Sequence, residues 1–192
     1  MQFTNFINPI TAVMALLSSP VLSQLISVHS HCDYPVYCAL VTGVNPSDPT
    51  PETPEGPRFS AVPVPDGMST AAVPERGDVY HCSPDPNPVI GEISLLEWTY
   101  NTTDPVRATF WWDLSFVDGN PFRAEGNFVA NTDIGDHPTG EWPKCYDSYC
   151  APGVDCGTDQ VYLTPDSDRN PTQNPMRQCP PADHLVWHIC SH

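Results

Sequence analysis

Two carboxylates interrupt segments of this chain whose other residues favour burial. Glu97 stands inside an apolar run of leucines and a tryptophan, and Asp113 directly follows a pair of tryptophans. A carboxylate in such a segment is costly unless it is hydrogen-bonded or lies on an exposed face of a sheet. Two facing carboxylates can act on a glycoside as an acid and as a nucleophile or base, and their separation decides the stereochemistry. The alternative is that both are ordinary solvent-facing residues of alternating strands.

Aromatic side chains flank these carboxylates in the sequence, namely Trp98, Tyr100, Phe110, Trp111 and Trp112. The flat apolar face of an exposed ring matches the C–H face of a pyranose, so an exposed member of this group is a candidate for stacking on a sugar. Because side chains alternate along a strand, Trp111 and Trp112 lie on opposite faces, and at most one of them is in the core. For each ring alone, packing in the core is the competing interpretation.

Histidines allow a metal-dependent alternative. If a signal peptide were cut after Ser30, His31 would become N-terminal and could bind copper with a second histidine, as in oxidative polysaccharide enzymes. That cut would delete the first predicted strand, which disfavours it. His184, His188 and His192 repeat every four residues, but in a strand His184 and His188 lie about 13 Å apart, too far to share a metal. We therefore expect no metal and no cofactor.

The N-terminus predicts export. The first 23 residues contain no charged side chain, and an apolar stretch from Ile10 to Leu17 leads to small residues before Gln24. This pattern indicates a signal peptide over residues 1–23 and a mature chain over residues 24–192. The apolar run is too short to span a membrane as a helix, and no later stretch qualifies, so we expect a soluble secreted protein.

The cysteines and one sequon fit an extracellular protein. All eight cysteines follow the predicted cut, and an even number in an oxidising compartment implies up to four disulfides. Zinc is the competitor, but no pair has the CxxC spacing. Asn101-Thr102-Thr103 is the only usable glycosylation sequon, because the other candidate asparagines precede proline.

The charge of the chain excludes whole classes of partner. Its formal net charge is −16, with only seven Lys plus Arg among 192 residues. Nucleic acids and anionic membranes bind through clustered positive charge, so neither is expected. A neutral polysaccharide, a protein surface or a cation stays open.

The pattern of apolar and turn residues predicts an all-β fold. Ile90 to Tyr100 and Ala108 to Val117 are rich in aromatic and β-branched residues and flank a turn, which indicates a β-hairpin. Prolines recur through residues 46–88 and predict a loop excursion with edge strands at most. Cys38 before this segment and Cys82 near its end could hold it against the domain. A linker between domains is the alternative for that segment. No capped run has helical periodicity, so we expect two facing sheets in one domain.

Three stretches of the sequence together resemble the thaumatin-like family. They are QLISVHSHCDYPVYC at the start of the mature chain, LLEWTY followed by FWWDLSFVDGNPF in the middle, and CGTDQVYLTPDSD leading to CPPADHLVWHIC at the end. The resemblance is closest to the small fungal secreted members that are described as antigenic or yeast-phase-specific. It implies a single-domain thaumatin-like β-sandwich.

The resemblance also implies a site and a set of disulfides. The family's acidic cleft matches Glu97, Asp113, Asp118 and Asp159, whereas the cleft arginine has no secure match, Arg76 being the nearest. The family's bridges correspond to three pairs here, and the fourth pair is left by exclusion: Cys32–Cys190, Cys145–Cys179, Cys150–Cys156 and Cys38–Cys82.

As a function, the resemblance implies a secreted cell-wall or cell-surface protein that is noncatalytic and monomeric. It would bind β-glucan, another wall polysaccharide, or a host or cell-surface protein, and would serve wall remodelling, spore germination or host contact. One alternative is weak endo-β-1,3-glucanase activity from Glu97 with Asp113 or Asp118. The other is a copper-dependent polysaccharide oxidase with His31 at its N-terminus.

Overall fold

Eleven strands make up about half of the chain that the computed structural model describes. The structure describes residues 25–43, 62–63, 67–72, 74, 76–103, 108–131, 145–164, 174–180 and 184–191. The predicted signal peptide over residues 1–23, residues 46–61 of the proline-rich segment, and His192 lie outside these ranges. The strands are β1 (Leu25–Ser30), β2 (Tyr37–Thr42), β3 (Val62–Pro63), β4 (Met68–Ala71), β5 (Gly77–Ser83), β6 (Ser94–Asn101), β7 (Thr109–Ser115), β8 (Asn127–Asn131), β9 (Ser148–Cys150), β10 (Arg177–Cys179) and β11 (Leu185–Ile189).

The strands form two sheets, which confirms the prediction of an all-β fold. One sheet has five strands in the order β4-β1-β11-β8-β9, and the other has six in the order β10-β7-β6-β5-β2-β3. Within the sheets β1 and β11 pair in parallel, and the other neighbouring strands pair antiparallel. In the described ranges no residue is helical. Accordingly, none of them belongs to a helix long and apolar enough to cross a membrane.

The core lies between the two sheets and follows the alternation of side chains along each strand. The five-stranded sheet contributes Ile26, Val28 and Trp187, and the six-stranded sheet contributes Leu96 and Trp112, all of them at most 2% exposed. Because neighbouring residues along a strand point to opposite faces, the residues between these core positions lie on the outer faces of the sheets.

The predicted hairpin is confirmed as β6 and β7. Its register runs from Leu95 opposite Ser115 to Asn101 opposite Thr109. The short apolar piece at residues 160–163 is not a strand, and only an isolated bridge joins it to β7. That piece has turn residues on both sides, so it is too short to build a ladder of its own.

The prediction that residues 46–88 form a loop excursion does not hold for residues 77–83. These residues form β5, which lies between β6 and β2 in the middle of the six-stranded sheet. Prolines flank this stretch at Pro74 and Pro84, but none lies within it, so every residue of β5 can donate to the ladder. Strands β3 and β4 occupy sheet edges, where proline is tolerated.

All eight cysteines form disulfides, so the predicted four bridges are confirmed. The structure joins the same pairs that the resemblance implies: Cys32–Cys190, Cys38–Cys82, Cys145–Cys179 and Cys150–Cys156. The first of these links the chain just after β1 to the chain just after β11, with a Cα–Cα distance of 5.1 Å. The parallel pairing of β1 with β11 brings Cys32 and Cys190 together, because both cysteines follow the same end of neighbouring strands.

Candidate functional site

A row of four residues crosses the outer face of the six-stranded sheet. Val41 on β2 pairs with Val79 on β5, Val79 pairs with Glu97 on β6, and Glu97 pairs with Asp113 on β7. Neighbours directly opposite each other on antiparallel strands have Cβ atoms about 4.5–5.5 Å apart. The sheet register therefore places both predicted carboxylates side by side, on the face that points away from the core.

Glu97 and Asp113 form one acidic pair. A side-chain hydrogen bond joins them, and Asp113 is only 8% exposed. Burial, the charge of Glu97 and the shared hydrogen bond raise the pKa of Asp113 well above its usual range. Burial also raises the pKa of Glu97, while its hydrogen bond with Asp113 acts in the opposite direction. Burial and the shared hydrogen bond thus favour a state in which the two carboxyl groups share one proton.

Two further charges act on this pair. Asp118, in the turn after β7, raises the pKa of Glu97 further through its negative charge. Arg177 on β10 acts in the opposite direction on Asp113, since its positive charge lowers the pKa of that carboxyl. Burial has the larger effect, because the pKa of Asp113 is raised despite the positive charge of Arg177. In the described part of the chain, Oδ1 of Asp113 is buried and has no hydrogen-bond partner.

The pair lies on the floor of a shallow cleft of about 390 Å³. Its lining comprises Val41, Gly43, Gly77, Asp78, Val79, Glu97, Trp98, Thr99, Trp111, Asp113 and Met176. At one end Gly43 donates its N–H to the carbonyl of Gly77 at 2.6 Å, and a Cβ on Gly43 would collide with that carbonyl oxygen. The two glycines thus let the strands approach closely there and leave no side chain over the cleft floor.

Two of the five candidate aromatic residues line this cleft, Trp98 and Trp111, and of these only Trp111 is partly exposed. Trp111 is half-buried, and its Nε1 donates to the hydroxyl of Thr109 at 3.1 Å, which holds the ring against β7. Trp112, its neighbour, is 1% exposed in the core, so the two tryptophans do lie on opposite faces. The other three rings are buried core residues: Trp98, Tyr100 and Phe110.

Asp159, which the resemblance assigned to the cleft, and Arg76, the nearest candidate for its arginine, both lie outside the acidic pair. Asp159 is exposed and accepts a hydrogen bond from Gln160 at 2.9 Å. Arg76 forms an ion pair with Asp78, with its Nη2 2.8 Å from Asp78 Oδ2. The guanidinium of Arg76 is therefore paired with Asp78 and with neither carboxyl group of the acidic pair.

One cation whose charge acts on Asp113 is Arg177, which the sequence-based predictions did not include. Arg177 is 1% exposed, and each of its three guanidinium nitrogens donates to a backbone carbonyl, on Tyr146, Pro175 and Asp159. Its guanidinium also stacks 3.8 Å from the centre of the Tyr146 ring. The signal in the sequence was weak, because β10 has only three residues and no periodicity to indicate a strand.

The residue on which the copper alternative depends is His31. Its Nε2 lies 2.9 Å from Nδ1 of His188, and the two rings stack on the outer face of the five-stranded sheet. A cut after Ser30 would remove β1, which lies between β4 and β11 and buries Ile26 and Val28. Among the residues described, no three or more His, Cys, Asp or Glu are grouped to hold a metal ion.

The predicted glycosylation site lies at the end of β6. Thr103 donates its backbone N–H and its hydroxyl to Oδ1 of Asn101, at 2.9 Å and 2.7 Å. Thr102 and Thr103 are exposed, and Asn101 is half-buried. Glycosylation of Asn101 stays a prediction.

Comparison with known proteins supports the fold and leaves the family open. No protein-family model matches the chain, and no curated protein matches it significantly. Among solved structures the chain is similar to the protein elicitor MoHrip2 from Magnaporthe oryzae, with 20% sequence identity and a TM-score of 0.59. The match covers 88% of this chain and all of the other. At this identity the likeness shows a shared fold alone.

Membership of the thaumatin-like family, expected from the sequence, is therefore wrong. The matching solved structure is a fungal protein elicitor, and no family model matches. Short strands, aromatic residues and turns that end in a cysteine are common to secreted disulfide-rich sandwiches. The Cys32–Cys190 bridge does not discriminate either, since any fold with β1 beside β11 brings these cysteines together.

Proposed function

We propose that this chain is a secreted, noncatalytic cell-wall or cell-surface protein that binds a wall polysaccharide in the cleft on the six-stranded sheet. The observation that carries the proposal is the half-buried Trp111 ring on the wall of a cleft whose floor holds Glu97 and Asp113. A ring offers a stacking surface, and carboxyl groups bind sugar hydroxyls. Four disulfides are consistent with an extracellular location.

The geometry of the acidic pair favours binding over glycoside hydrolysis. An O–H···O hydrogen bond holds its two oxygens about 2.5–3.0 Å apart. Retaining glycosidases keep their carboxyl groups about 5–5.5 Å apart, and inverting ones about 6.5–9.5 Å apart. Glu97 and Asp113 are thus too close to flank a glycosidic bond. For Glu97 with Asp118, the test is the release of reducing ends from laminarin, and we expect none.

A protein partner in host contact is the second candidate. Its support is that MoHrip2, whose fold this chain shares, is described as a protein elicitor from a fungus. Wall remodelling and spore germination are the other processes that a wall-binding protein would serve.

Retention on insoluble polysaccharide tests the proposal. We expect the secreted protein to be retained on β-1,3-glucan, with chitin and cellulose as comparisons, and Trp111→Ala to lose retention. Tyr149→Ala is the matched control, because Tyr149 is a 48% exposed ring on the outer face of the other sheet. Absence of retention on all three polymers would overturn the polysaccharide proposal and leave the protein partner. Retention that depends on Tyr149 and not on Trp111 would place binding on the other sheet.

A further inference from the structure

The acidic pair places more negative charge in the cleft than the binding of a neutral sugar requires. A neutral glucose unit needs hydrogen-bond donors and acceptors, and these need not be charged or buried. This cleft instead places two adjacent carboxyl groups on its floor, and one of them, Asp113, is 8% exposed. Resting on the function proposed above, we infer that the cleft selects sugar units that carry a free amino group, as in deacetylated chitin, over neutral glucose units.

The first support is an unmatched acceptor. Oδ1 of Asp113 is buried, lies in a residue that lines the cleft, and has no hydrogen-bond partner within the ranges that the structure describes. A buried acceptor without a donor is costly, and a ligand that supplies an N–H would remove that cost. An ammonium group carries three such donors and no acceptor, so it can reach Asp113 and Glu97 together.

The second support is that the nearby cations are already engaged. The three guanidinium nitrogens of Arg177 donate to backbone carbonyls, and Arg76 is paired with Asp78. Neither guanidinium therefore forms a bidentate ion pair with Glu97 or Asp113. Within the part of the chain that the structure describes, no cation forms an ion pair with Glu97 or Asp113, so a bound ligand can supply a positive charge there. Opposite charges attract strongly where water is partly excluded.

The third support is the position of the ring. Trp111 and Asp113 are two residues apart on β7, so their side chains point to the same face of the sheet. A pyranose that stacks on the Trp111 ring consequently has its substituents within the same cleft as the carboxyls. An amino substituent would meet the acidic pair there, whereas an N-acetyl group is neutral and bulkier.

Binding of an ammonium should release a proton. Burial raises the pKa of both Glu97 and Asp113, so the free pair holds a proton more tightly than ordinary carboxyl groups do, and a bound cation would favour its release. The other charged and titratable groups around the pair are Asp118 in the turn after β7, His81 and the paired Asp78 on β5, and Arg177 on β10. None of these groups changes the direction of the pH dependence, because cation binding favours loss of the proton from the acidic pair. Affinity for the amine should therefore rise with pH until the amine itself loses its charge.

The experiment is calorimetric titration of the intact secreted protein with a short glucosamine oligomer and with its fully N-acetylated counterpart. At about pH 6, where the amine is charged, we expect binding of the glucosamine oligomer at least about tenfold tighter. Glu97→Gln and Asp113→Asn should each abolish this preference. Asp159→Asn is the matched control, because it removes one carboxylate that is exposed and outside the cleft. Titration in buffers of different ionisation enthalpy should show proton release in the wild-type protein, which requires no variant.

Each outcome is decisive. Equal affinity for the two oligomers, or a preference that survives both cleft substitutions, would overturn the inference, the latter by assigning the preference to the general negative charge of the chain. Retention on β-1,3-glucan that depends on Trp111, without any preference for the amine, would overturn the inference and leave the proposed function intact. Failure to bind any of these carbohydrates would overturn both.

Discussion

Glu97 and Asp113 are direct neighbours across β6 and β7, and burial raises the pKa of both hydrogen-bonded carboxyl groups. Burial is the largest cause of the raised pKa of each residue. A pair of this kind is in its most stable form when it holds one proton, and full ionisation would place two negative charges side by side. The stability of the protein should therefore report the state of the pair.

Asp113→Asn should remove a pH dependence of stability. Folded pKa values that are raised mean that the pair stabilises the fold fully below the ordinary carboxyl pKa of about 4, and that this stabilisation is lost as the pH rises through the folded values. Asparagine can donate to Glu97 without a titrating proton. At neutral pH the variant should be more stable than wild type, by on the order of 1 kcal/mol. Urea unfolding across a pH series measures this, and Asp159→Asn should follow the wild-type curve. Parallel curves of stability against pH for wild type and Asp113→Asn would contradict the assignment of a raised pKa to the acidic pair.

Two disulfides should contribute unequally to stability. Cys32 and Cys190 are 158 residues apart in sequence, and Cys150 and Cys156 are 6 apart. Loop-closure entropy predicts a loss of about 5 kcal/mol when the first pair is replaced by alanines and about 2 kcal/mol for the second. The larger loss is comparable to the whole stability of many domains, so little of the first variant should be secreted. Denaturant unfolding and secreted yield measure the difference, and equal losses would contradict it.

Arg177 should be a structural anchor. Its guanidinium donates to three backbone carbonyls and stacks on Tyr146, so Arg177→Ala should lose about 3–5 kcal/mol by leaving buried carbonyls without donors. Arg123 is the matched control, because its ion pair with Asp155 is exposed and Arg123→Ala should cost less than about 1 kcal/mol. Thermal and urea unfolding of both variants test this. Similar losses from the two substitutions would show that the hydrogen bonds of Arg177 contribute little.

Alternation of side chains was sufficient to predict the central hairpin and its two faces. The pattern predicted that Trp111 and Trp112 lie on opposite faces with at most one of them in the core, and the structure has Trp112 in the core and Trp111 on the outer face. The same pattern brought attention to Glu97 and Asp113, because a carboxylate in an apolar strand needs a special environment. Their direct pairing then follows from the register of β6 and β7.

The remaining features depend on contacts between distant segments. The positive charge of Arg177 acts on Asp113 because the three-residue β10 pairs with β7, and so short a strand carries no periodic signal. Strand β5 was hidden among prolines, although the stretch from Gly77 to Ser83 contains none. Asp159 was assigned to the cleft by resemblance alone, and the structure places it on the exposed surface. Local motifs thus predicted the strands better than they predicted the family or the charges around the site.

Backbone amide shifts in an NMR titration with a short β-1,3-glucan oligosaccharide test the central claim most directly, because they report which face of the protein the sugar contacts. We predict that the perturbed amides cluster at the cleft, around Val79, Glu97 and Trp111, and that the Trp111 indole signal moves with them. Shifts confined to the outer face of the five-stranded sheet, around Phe128 and Tyr149, would contradict the account. So would the absence of any shift at saturating sugar, both with this oligosaccharide and with the glucosamine oligomer.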